Sequence, residues 1–115
     1  MILEDKKNAF VALGDFIRQF STEESQYNNE LIHNESFFSN FQDIINQAIS
    51  HNGWFTKDQV VFALKSWSDA LTKANLDKWL SAYNLNVEPL KKVGLILAGN
   101  IPMVGFHDVL SVLIS

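Results

Sequence analysis

Val93-Gly94-Leu95-Ile96-Leu97-Ala98-Gly99-Asn100-Ile101-Pro102-Met103-Val104-Gly105-Phe106-His107-Asp108 carries the strongest architectural signal in the chain. Residues 93–97 form an apolar run of the kind that fills a parallel strand covered on both faces. Gly99-Asn100 reads as a tight turn. Pro102, whose fixed φ suits the first helical position, opens a last helix that is still running at Ser115. One polar amide, Asn100, stands alone at the turn. In α/β proteins ligands gather at such strand ends, where a helix N-terminus presents free N–H groups. A single buried strand cannot satisfy its own backbone. Either another chain supplies the sheet or the chain continues. With no C-cap glycine or basic last turn after Phe106, the pattern favours the front piece of a larger enzyme.

Working outward, charge is distributed unevenly. Every charged residue except Asp108 lies within residues 1–92. The final apolar tract has the length of a membrane helix. Gly94, Gly99, Asn100, Pro102 and Gly105 break it into strand and helix, so no membrane span is expected. The chain has 115 residues, 47% of them hydrophobic, enough for one compact core. An aromatic content of 12% argues against disorder over most of the length. Net charge is −4, and Lys6-Lys7 and Lys91-Lys92 are the densest basic points, which disfavours nucleic acid as a partner. The absence of cysteine excludes disulfides, Cys-based metal sites and a Cys nucleophile within these residues. Charges directly after Met1-Ile2-Leu3 do not fit a signal peptide, so a cytoplasmic location is expected.

Upstream, helical spacing dominates. Phe10, Leu13, Phe16, Ile17 and Phe20 make one stripe in residues 2–20. Residues 21–35 are polar and read as a loop or frayed helix. Phe37, Phe41, Ile44, Ala48 and Ile49 form the expected face of a helix over 36–51. Asn52-Gly53 fits its Ccap and C′ positions, with Trp54 folding back on Ile49. Thr56 and Gln59 form a capping box, with Phe55 and Val60 as the staple. The helix it opens carries Val60, Leu64, Trp67 and Leu71. Thr72 caps another helix over about 73–83, with Leu76, Trp79, Leu80 and Tyr83 facing inward. Residues 84–92 read as a connection.

Few residues look chemically equipped. His33, His51 and His107 are separated by 18 and 56 residues, which matches no metal signature. His107 and Asp108 are helix neighbours and point about 100° apart, too divergent for a dyad. The glycines form neither a dinucleotide fingerprint nor a phosphate-binding loop. Trp54, Trp67 and Trp79 fall beside apolar faces, as core residues do. That leaves Gly99-Asn100-Ile101-Pro102. Gly99 permits close approach by a ligand. Asn100 offers an NH₂ donor of the type found in oxyanion holes, or else an amide that satisfies turn backbone.

Gly53-Trp54-Phe55-Thr56, Val61-Phe62-Ala63-Leu64, Trp79-Leu80 and above all residues 92–108 resemble the start of bacterial acyl-CoA reductases. These are relatives of the fatty-acid reductase component of luminescent bacteria, within the aldehyde dehydrogenase superfamily. The resemblance implies a mainly α piece. Residues 1–90 would be a helical N-terminal region, and residues 91–115 the first strand-turn-helix of an α/β cofactor-binding and catalytic domain. It implies NADPH or NADH as cofactor, fatty acyl-CoA as substrate and fatty aldehyde as product, through a Cys thioester formed outside these residues. Asn100-Ile101-Pro102 match the superfamily's Asn-x-Pro motif, so Asn100 inherits the oxyanion role. Leu97, Ala98 and Gly99 match the backbone that lines the cofactor, although Gly99 stands where an aromatic residue is usual. The 115 residues alone are expected to be inactive, to expose the apolar strand and final helix, and so to be prone to self-association. A stand-alone helical interaction module with an apolar C-terminal docking segment is the alternative.

Overall fold

The computed structural model describes residues 2–85 and 91–115, so the middle of the expected connection 84–92 lies outside the described residues. The described residues form helices α1 (Leu3–Arg18), α2 (Asn34–His51), α3 (Lys57–Ala70), α4 (Lys73–Leu80) and α5 (Phe106–Ile114), and no strand. The mainly helical expectation stands.

Each helix begins and ends for local reasons. Glu4 and Asp5 complement the N-terminal dipole of α1, and Arg18 its C-terminus. Thr56 and Thr72 cap α3 and α4, their side chains accepting from Gln59 N (3.4 Å) and Asn75 N (3.2 Å). α1 is the hub. It packs most extensively on α3 and also touches α4 and α5. Gly14 lets it approach: a Cβ there would lie 2.6 Å from the carbonyl oxygen of Leu71. Arg18 clasps the same junction by donating to the Ser68 carbonyl at 2.7 Å.

The core runs from Ile17 and Phe20 through Ile45, Val60, Leu64, Leu71, Leu76 and Leu80 to Leu110 and Ile114. The Phe20 ring meets Phe38 and Phe41 at centroid distances of 4.7 and 4.9 Å, joining α1 to α2. The polar segment 21–33 is tied down by a buried amide pair. Gln19 Nε2 donates to Asn34 Oδ1 (2.8 Å), and Asn34 Nδ2 donates back to Gln19 Oε1 (2.6 Å). Asn28 N–H also donates to Gln19 Oε1, at 2.9 Å.

Several expected details differ. α2 begins at Asn34 and buries Phe38, Phe41, Ile45 and Ala48, while Phe37, Ile44 and Ile49 face outward. Apolar doublets at 37–38, 44–45 and 48–49 offer two competing stripes, and contact with Phe20 selects one. Asn52 ends α2 in an extended conformation (φ −147°, ψ 112°), and Gly53 has no positive φ. The Asn52 side chain instead accepts from Trp54 N–H at 3.0 Å, and both Trp54 and Ile49 are exposed. α4 stops at Leu80, so Tyr83 is exposed.

Residues 93–97 form no strand. They run along the surface without a backbone partner among the described residues, since a ladder requires a second strand. The last helix starts at Phe106, four residues after Pro102. Met103 adopts φ 58°, which a right-handed helix does not admit, and the chain turns there before α5 begins. α5 is docked, contrary to the expectation that it would be exposed. Leu110 and Ile114 are buried, and Phe106 meets Trp67 edge-on at 4.6 Å.

Candidate functional site

Residues 97–105 form a bent surface feature against the end of α2 and the body of α3. Leu97 rests on Gly105, where a Cβ would fall 2.9 Å from the Leu97 Cβ, so only glycine admits this approach. Ala98 and Gly99 are exposed, and a Cβ on Gly99 would meet nothing within 4 Å. The backbone over Leu97, Ala98 and Gly99 therefore lies at the surface. Asn100 follows, at a bend ahead of the turn over 102–105. Its side chain is exposed and makes no hydrogen bond among the described residues. The turn is closed by Val104 N–H donating to the Ile101 carbonyl (3.3 Å) and Phe106 N–H to the Met103 carbonyl (3.0 Å).

Beside this turn lies an open groove of about 420 Å³. Phe62, Ala63 and Trp67 of α3 form one wall, and Ile101, Pro102 and Val104 the other. Gln59 and Ser66 are its polar side chains, and among the described residues no ionisable residue lines it. Such a groove suits an uncharged aliphatic group and offers nothing to hold a phosphate. It begins at the residue next to Asn100.

One anchoring residue carries no local sequence signal. Asn52 Nδ2 donates to the Gly99 carbonyl at 3.1 Å, linking the end of α2 to the residue before Asn100. Asn52 also lines a second apolar hollow of about 340 Å³ with Ile44, Ala48 and Phe55. In sequence, Asn52 reads only as a helix end.

The histidines are scattered. His33 precedes α2, His51 ends it, and His107 lies exposed with ring centroids 6.4 and 6.1 Å from Trp67 and Trp79. Among the described residues no three His, Cys, Asp or Glu side chains gather as metal ligands. The shifted ionisable groups lie on α1. Hydrogen bonds from Lys73 and then Lys7 hold the Glu4 carboxyl below its ordinary value of 4.5. Asp77, and then Glu4, raises the Lys7 ammonium above its ordinary value. These charges tie α1 to α4. Among the described residues no helix is long and apolar enough to cross a membrane.

Comparison with protein-family models, with curated proteins and with solved structures returns no match.

Proposed function

We propose that this chain is the helical N-terminal region and first strand-turn-helix of an NAD(P)H-dependent acyl-CoA reductase. The observation that carries the reading is the uncharged groove that opens at Ile101, directly after the free amide of Asn100. A fatty thioester needs both features side by side, an apolar channel for its tail and a donor for its carbonyl oxygen. Residues 93–97 form no strand among the described residues; in this reading the exposed Val93, Leu95, Ile96 and Leu97 would pair only with further strands.

In this reading Asn100 Nδ2–H donates to the substrate oxygen as negative charge builds there. This happens when a Cys outside these residues displaces the CoA thiol, and again when the resulting thioester is reduced. The nicotinamide cofactor supplies the hydride, and Leu97, Ala98 and Gly99 would hold it through their backbone. Acyl-CoA, NAD(P)H and one proton yield aldehyde, free CoA and NAD(P)⁺. The 115 residues hold no cysteine, so in this reading they would not turn over acyl-CoA by themselves.

The test uses the protein expressed from the uninterrupted reading frame that encodes this chain, with loss of NAD(P)H absorbance followed over a panel of fatty acyl-CoAs. Turnover that drops about a hundredfold in Asn100→Ala, with circular dichroism unchanged, is the expected result. Undiminished turnover in the variant returns Asn100 to the role of a turn residue.

A second reading has its own observation. Ile96 is completely exposed, at 102% relative accessibility, within an apolar surface segment. Such a segment equally serves a helical interaction module that docks on a partner. Absence of acyl-CoA turnover together with a discrete, stable oligomer would favour it.

A further inference from the structure

Among the described residues, the Asn52 amide supplies the sole hydrogen bond to residues 92–100. The link joins positions 47 residues apart at 3.1 Å. Asn52 itself is firmly placed. Its N–H donates to the Ala48 carbonyl (3.0 Å), and its carbonyl accepts from Phe55 N–H (2.9 Å). Its side-chain oxygen accepts from Trp54 N–H (3.0 Å). The two amide ends therefore have fixed identities. A backbone N–H requires the oxygen and a backbone carbonyl requires the NH₂, so a flipped amide would lose both bonds.

The Gly99 carbonyl and the Asn100 N–H belong to one planar peptide unit. A bond to that carbonyl fixes the plane from which the Asn100 Cα and side chain depart. We propose that Asn52 is a positioning residue for Asn100, holding the Gly99–Asn100 peptide so that the Asn100 amide faces the reacting carbonyl. This inference rests on the reading of Asn100 as oxyanion donor.

A double-mutant cycle in the enzyme expressed from its full reading frame tests it. Asn52→Asp keeps an acceptor for Trp54 N–H but removes the donor to Gly99 and sets a carboxylate against the carbonyl. In the wild-type background kcat should fall about three- to tenfold, the value of one hydrogen bond, with KM for the acyl-CoA changed by less than about twofold. In the Asn100→Ala background the same substitution should change kcat by less than about twofold, because its effect passes through Asn100. If Asn52→Asp lowers Tm, Asn52→Ser takes its place in the cycle, since its hydroxyl serves the turn but is too short to reach Gly99. Equal losses in both backgrounds, or no loss in the wild type, overturn the positioning role while leaving the reductase reading intact. Absence of turnover in the wild-type enzyme overturns the reductase reading, and the positioning role with it.

Discussion

Gly14 is the residue at which α1 and the end of α3 come closest. Replacing it with alanine gains helix propensity, worth about 1 kcal/mol. The added methyl would sit 2.6 Å from a backbone oxygen and 2.7 Å from the Leu71 Cβ, where no flexible side chain can yield. Overpacking of this kind costs about 1–3 kcal/mol, so the net effect should be destabilising. Urea unfolding of Gly14→Ala should show a lower midpoint at unchanged slope; a midpoint at or above wild type would mean that the helices slide apart at no cost. Asn34 poses a different residue-scale question. In Asn34→Ala, Gln19 loses its buried reciprocal partner, at a cost of about 1–3 kcal/mol. Hydrogen exchange at the Asn28 amide should accelerate, because that N–H is held by the same Gln19 oxygen. Unchanged exchange would show that segment 21–33 is pinned elsewhere. Neither residue was legible in sequence. Gly14 carries no signal of its own and Asn34 reads as part of a polar loop, since their partners lie 57 and 15 residues away.

At the scale of elements, features written in local chemistry were read correctly, and those settled by distant contacts were not. Thr56 and Thr72 cap their helices because the bond closes within three residues. The buried face of α2 was misread because its doublets satisfy two stripes equally. The end of α2 was misread because Asn52 spends its side chain on Trp54 N–H and Gly99. The candidate site divides in the same way: Asn100 is singled out by its own sequence, Pro102 reads as the first helical residue and lies instead in the turn before α5, and Asn52, Phe62 and Trp67 come near only through the fold. Between elements, the α1–α4 ion pairs give a pH dependence whose sign is fixed. The Glu4 carboxyl titrates lower in the folded chain than in the unfolded one. Its contribution is therefore complete above the unfolded value near 4.5 and disappears as pH falls through the lower, folded value. Glu4→Gln should flatten the acid limb of a Tm-versus-pH curve below about pH 4.5, and 1 M NaCl should weaken the difference. An identical acid limb in the variant would remove Glu4 from the account.

For the whole molecule, the radius of gyration of 15.3 Å exceeds the roughly 13 Å of a condensed domain of this length. Apolar side chains at 93, 95, 96, 97, 101 and 104 remain on its surface. The isolated 115-residue chain should therefore self-associate with rising concentration in sedimentation velocity. Ile96→Lys should reduce that association and shift unfolding by less than about 0.5 kcal/mol, because Ile96 contacts nothing it stabilises. Undiminished association would move the sticky surface to the outer face of α2, with Phe37 and Ile44. The hub position of α1 has a further consequence during synthesis. α1 precedes the other described helices in the chain and leaves the ribosome before them, and Leu110 and Ile114 of α5 belong to the same core. At about 5–20 residues per second, roughly 5–20 s separate the two events. For that interval the Phe10–Ile17 stripe lacks its final partner, and any chaperone that binds apolar nascent segments has its natural target there.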